Sequence, residues 1–181
     1  MKKSLREKLQ HIKILIMDVD GVMTDGRIII NDDGRETKNF DVRDGHGIKL
    51  VQRYGIEVAL LTGRQSEVVK HRANELGITE VHQKIFNKKE VFVEILQKNN
   101  LNANQAAFIG DDIIDIPVLK EAGFSATVAD AIDIVKKTVD YVTKKKRAAA
   151  VRCVKSAKCC CRRREDGRRS PPNMNLPSIS R

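Results

Sequence analysis

Short apolar runs recur along the first 142 residues, and each ends at a polar or glycine-containing break. Residues 12–17, 57–61, 80–83, 106–109, 125–128 and 140–142 read as strands, the first being a near-continuous apolar run of the kind buried on both faces. Between them, the spacing of apolar positions predicts helices over 45–53, 65–76, 88–98, 115–122 and 131–137. Gly55, Gly77 and Gly123 stand where these would stop. Val68, Val69, Arg72 and Leu76 fall on related faces of the second helix; Val91, Ile95 and Leu96 point inward from the third. Residues 27–31 and 36–40 flank Asp32-Asp33-Gly34, a hairpin signal in which both aspartates are turn residues. Strands alternating with helices predict an α/β fold: a parallel sheet with helices on both faces. The hairpin is a small insertion after the first strand, too short for a separate cap domain.

A chain of 181 residues fits one domain with a substantial core. Its net charge of +10 is a property of the C-terminal segment. Residues 144–181 carry 13 Lys/Arg against 2 Asp/Glu, leaving 21 basic and 22 acidic residues elsewhere. The near-neutral body gives no nucleic-acid footprint. The four cysteines, Cys153, Cys159, Cys160 and Cys161, share that segment without disulfide-framework or zinc-ligand spacing. No run is long enough to span a bilayer, and Met1-Lys-Lys-Ser-Leu-Arg-Glu-Lys is too charged for a signal peptide. The expectation is a soluble, cytoplasmic protein without membrane partners.

Polar clusters follow the strands. Asp18 and Asp20 end the first, Thr62 the second, and Asp111-Asp112 the one at 106–109, while Lys88 opens a helix. Strand ends in a parallel sheet share one edge, so these groups can converge. Paired carboxylates there need a cation, which makes a metal site the first expectation. Acids, a hydroxyl and a lysine around one point suit phosphoryl transfer, which needs in-line positioning and charge neutralisation. A second acid beside an ionised one is disposed to hold a proton, as a general acid must. His11, His46, His71 and His82 are scattered and expected to be structural or surface residues.

The order Asp18-Val-Asp20-Gly21, Leu61-Thr62-Gly63, Lys88 and Gly110-Asp111-Asp112-Ile-Ile-Asp115 resembles the four motifs of the haloacid dehalogenase superfamily of phosphatases. The resemblance implies a Rossmann-like sheet and a nucleophilic Asp18 that becomes an aspartyl-phosphate. It implies Asp20 as proton donor and then base, with Thr62 and Lys88 on the phosphoryl oxygens. It implies Mg²⁺ held by the Asp18 carboxylate, the Asp20 carbonyl and Asp111.

Asp18 to Gly26, Phe40 to Ile48 and Gly110 to Pro117 resemble one subgroup of that superfamily, acting on 3-deoxy-D-manno-octulosonate 8-phosphate in lipopolysaccharide synthesis. That implies a sugar site at Asp41, Val42, Arg43, Asp44 and Gly45, with Asp20, Lys49, Arg64, Arg72 and Lys88. Such cations suit a substrate bearing carboxylate and phosphate. It further implies a homotetramer. A nine-carbon ulosonate 9-phosphate, or an impaired regulatory binder, are the alternative readings. The resemblance fades near Lys146, giving a phosphatase domain over 1–146 and a basic, disordered tail over 147–181. A legitimate coding of Cys153–Cys160, shifted by two bases, reads Arg-Glu-Val-Cys-Glu-Met-Leu, as the subgroup has it. The tail is therefore expected to be a frameshift product or a sequencing error, with a basic arm for nucleic acid or anionic lipid as the competing reading.

Overall fold

A computed structural model describes residues 3–143. The expected boundary at 146 and the tail from 147 lie outside the described residues. Among those described, six strands form one sheet, paired in parallel throughout. β1 (Ile14–Met17) is central, and β2 (Ile29–Ile30) with β3 (Glu36–Thr37) forms the separate antiparallel hairpin. β4 (Glu57–Leu61) and then β5 (Glu80–His82) lie on one side of β1. β6 (Ala106–Ile109), β7 (Phe124–Thr127) and β8 (Tyr141–Val142) lie on the other.

Alternation along β1 divides the core. Leu15 and Met17 join the cluster under α1 (Lys3–Gln10), α2 (Val42–Arg53) and α3 (Glu67–Leu76). Ile14 and Ile16 join the one under α4 (Lys88–Lys98), α5 (Ile116–Glu121) and α6 (Asp133–Thr138). Both faces of the sheet are thus covered, as a parallel sheet requires.

Local differences from the sequence expectation have physical causes. α1 was hidden by its charges, yet Leu9 is fully buried and Leu5 packs beside it. α2 begins at Val42 rather than 45, because the Asp41 carboxylate accepts the Arg43 N–H at 2.7 Å and caps the first turn. The inward residue of α4 that periodicity overlooked is Phe92, packed edge-to-face on Phe108 with centroids 6.5 Å apart. Val91 is only half-buried. On α3 the buried stripe is Val69, Ala73 and Leu76. The helix expected over 115–122 is a 3-10 turn, Ile113–Asp115, followed by α5. The Asp115 carboxylate accepts the N–H groups of Asp111 and Asp112 at 3.0 and 3.1 Å, which holds that turn.

Gly123 joins α5 to β7 with its Cα against the backbone of Asn104, where an added Cβ would collide. Backbone cannot swing aside as a side chain can. Gly123→Ala should therefore cost about 1–3 kcal/mol of stability, as overpacking does. Urea unfolding measures it, and a loss below about 0.5 kcal/mol, the scale of an ordinary surface substitution, would show that the junction relaxes freely.

Candidate active site

β1 has β4 on one side and β6 on the other, because the chain runs from β1 out to β4 and β5 and then crosses back to β6. Open α/β sheets form a crevice at such a point, beyond the carboxyl ends of the strands. Here that crevice is a cavity of about 260 Å³ whose wall includes Asp18, Asp20, Thr62, Arg64 and Asp111. Asp18 continues the β1 ladder, its N–H donating to the Ile109 carbonyl at 2.9 Å. Its position is thereby set by the sheet itself.

Lys88, at the first turn of α4, has a fully buried side chain. Its Nζ lies 2.9 Å from Asp18 Oδ2 and 2.6 Å from Asp115 Oδ1. Burial works against the ammonium, but the two carboxylates outweigh it and hold Lys88 above its ordinary value. Asp18 shows the reverse balance. Burial pushes it up to about 6, with Asp115 adding repulsion and Lys88 pulling down. Asp111 is pushed up to about 7, first by burial and then by Asp18, Asp115 and Asp112.

Among the described residues, Asp18, Asp111 and Asp115 offer oxygens within 4.8 Å of one another. Asp115 was overlooked as a site residue. Its carboxylate is spent on Lys88 and on the Asp111 and Asp112 N–H groups, so that of these three Asp18 and Asp111 are the ones that line the cavity. Asp111 Oδ1 is buried without a hydrogen-bond partner. Gly21, at φ +84°, packs directly on that carboxylate, in a conformation and a space that exclude a side chain. An orphaned anionic oxygen beside a second carboxylate is the donor chemistry of a hard divalent cation, so these residues fit Mg²⁺.

The hairpin supplies another residue absent from the expected set. Lys38, just beyond β3, has a buried side chain and reaches Asp20 Oδ1 at 2.5 Å and Glu36 at 3.3 Å. Arg64 lies 2.9 Å from Glu36 and 3.8 Å from Asp20 Oδ2. Nothing in the local spelling distinguishes Lys38 from a solvated hairpin lysine.

The remaining expected sugar-site residues are not in the wall of this cavity. Val42 and Arg72 line a separate groove of about 450 Å³ that also includes Lys38 and Phe40. Arg72 stacks over Phe40 and pairs with Glu75 at 2.7 Å. Asp41, Arg43 and Asp44 lie on the cap and first turn of α2, and Gly45 packs against Arg72. Lys49 sits beside Gly77, next to a hollow at the amino edge of the sheet. His82 is engaged with Glu80 at 2.6 Å, in keeping with a structural role.

The family of haloacid dehalogenase-like hydrolases matches residues 77–153. The 3-deoxy-D-manno-octulosonate 8-phosphate phosphatase KdsC of Escherichia coli strain K12 is 43% identical over 137 residues, covering 76% of this chain and 73% of that protein. The chain belongs to this phosphatase family. A solved structure of the Yersinia pestis enzyme superposes with a TM-score of 0.86 at 38% identity, covering 92% of this chain and 91% of that one. The Moraxella catarrhalis enzyme, solved with a magnesium ion, a phosphate ion and a KDO molecule, gives a TM-score of 0.85 at 36% identity. Coverage there is 92% of this chain and 97% of the other. In this chain the family's α/β sheet carries a hairpin where a cap domain would stand.

The raised carboxyls have a consequence for stability. Asp111 stands at about 7 when folded against 3.8 unexposed to the fold. Such a group destabilises the metal-free protein as pH rises through that window, fully above about 7, because the unfolded chain ionises it more readily. Metal-free Asp111→Asn should therefore melt above the parent at about pH 8, with the gap closing towards pH 4. Added Mg²⁺ should raise the parent's midpoint and leave the variant's in place. Calorimetry decides, and a gap independent of pH would refute the electrostatic origin.

Proposed function

We propose that this protein is a Mg²⁺-dependent phosphatase that hydrolyses 3-deoxy-D-manno-octulosonate 8-phosphate to 3-deoxy-D-manno-octulosonate and phosphate, in lipopolysaccharide synthesis. The observation that carries the reading is the cluster at the end of β1: Asp18 bridged to Lys88, with Thr62 and the orphaned Asp111 in one pocket. This cluster belongs to a chain 43% identical to an enzyme of that name.

In the proposed reaction, Asp18 attacks phosphorus in line with the sugar oxygen. An aspartyl oxygen–phosphorus bond forms as the bond from phosphorus to the sugar C8 oxygen breaks. Asp20 gives its proton to that departing oxygen. It then takes a proton from the water that attacks the aspartyl-phosphate, releasing phosphate and restoring Asp18. Lys88 lowers the repulsion between carboxylate and phosphate dianion, and the Thr62 hydroxyl donates to a phosphoryl oxygen. Mg²⁺, held by the Asp18 carboxylate, the Asp20 carbonyl and Asp111, would neutralise further phosphate charge. Asp41 to Gly45, Lys49, Arg64 and Arg72 remain the proposed sugar-acid residues. Arg64 lies in the pocket wall, whereas Lys49 would need to meet substrate from another surface.

The proposed setting is cytoplasmic. No helix among the described residues is long and apolar enough to cross a membrane. A homotetramer is proposed from the family, and the exposed hairpin residues Ile28 and Ile30 are compatible with a subunit contact.

Phosphate release across eight- and nine-carbon sugar-acid phosphates tests the substrate, and higher kcat/KM on the nine-carbon ester would reassign it. Asp18→Asn tests the chemistry. It keeps the shape and removes the attacking charge, so activity should fall by at least ~10³-fold. Residual turnover within tenfold of the parent would mean that another group attacks.

A further inference from the structure

Lys38 is a buried cation on the hairpin, and its contacts fall on the residue proposed as the general acid. An ammonium with 1% side-chain exposure needs anionic partners, and it has Asp20 at 2.5 Å and Glu36 at 3.3 Å. Glu36 is in turn held by Arg64 Nη2 at 2.9 Å. The contacts on Asp20 are unequal. Oδ1 takes both Lys38 and the Thr24 hydroxyl, at 2.5 and 3.4 Å. Oδ2 has Arg64 Nε at 3.8 Å, beyond hydrogen-bond length.

We infer that Lys38, anchored by Glu36, is a positioning residue that fixes the Asp20 carboxyl through Oδ1 and leaves Oδ2 to pass the proton to the leaving oxygen. The inference rests on the proposed role of Asp20. As the Asp18 oxygen bonds to phosphorus, the proton on Asp20 Oδ2 moves to the ester oxygen whose bond to phosphorus is breaking. A carboxyl free to rotate would spend part of its time with neither oxygen in line, and misplacement of a proton donor is costly. The hairpin thereby acts in the reaction through its hold on Asp20.

Dependence on the leaving group separates this role from a merely structural one. A sugar alkoxide needs a proton to depart, whereas 4-nitrophenolate does not. kcat/KM reports the step in which the ester bond breaks, so it is the quantity to compare. With Mg²⁺ present, Lys38→Met should lose ~10²-fold on the sugar phosphate, the lower end of what general acid catalysis contributes. Its loss on 4-nitrophenyl phosphate should be at least tenfold smaller. Lys38→Arg should recover much of the selective loss. Glu36→Gln, which spares the buried lysine, should show the same selectivity more weakly and serves if Lys38→Met does not fold. Asp20→Asn is the control. Selective loss in Asp20→Asn with equal losses on both substrates in the Lys38 and Glu36 variants overturns the positioning role and leaves the proposed reaction standing. Equal losses on both substrates in Asp20→Asn overturn the acid assignment and this inference with it.

Discussion

The site depends on one buried cation. Lys88 lies between Asp18 and Asp115 with no exposed side-chain surface, and both contacts are within hydrogen-bond length. Without it, three carboxylates would crowd within 4.8 Å in a buried place. A charge taken out of water is tolerated only when paired and hydrogen-bonded, and here the pairing is mutual. Asp115 completes the arrangement by accepting the N–H groups that shape the turn after β6. One ion-pair cluster therefore sets the loop geometry, the charge of the lysine and the contacts of the Asp18 carboxylate.

The sheet decides where that cluster can be. β1 is hydrogen-bonded on both edges, so the residue following it can neither slide nor swing. The crevice opens where β1 is flanked by β4 on one side and, after the chain crosses back from β5, by β6 on the other, and Asp18, Thr62 and Asp111 are carried there by three strand ends. Preorganisation of this kind is valuable for phosphoryl transfer, where positioning and electrostatics supply most of the catalysis. Beyond the pocket wall, the hairpin brings Lys38 and Glu36 against Asp20 and Arg64. A two-strand ribbon with two pairs in register has little stability of its own, and its buried lysine ties it to the body.

The acids at the cavity carry the strain of this design. Asp111 keeps an oxygen buried and unpartnered, with Gly21 pressed against it. Its raised value and that of Asp18 are the signs of a pocket built to be completed by positive charge.

The chain by itself determined the alternation of strands and helices, the bounds of β6 and α4, and the residues that end the strands. Asp18, Asp20, Thr62 and Asp111 were legible because buried apolar runs and the turns after them are local patterns; Lys88, at a helix start, was legible only through the motif order it shares with them. Their order along the chain carried the family. Tertiary structure alone decided which charges meet. Lys38 reads as a hairpin lysine and Asp115 as a helix-start acid, until folding sets one on Asp20 and the other on Lys88. Lys49 reads as a site cation, and the fold sets it beside Gly77, outside the wall of the cavity. Periodicity reports which face of an element is buried, but a long side chain chooses its partner among residues distant in sequence, and that choice is made only when the elements pack.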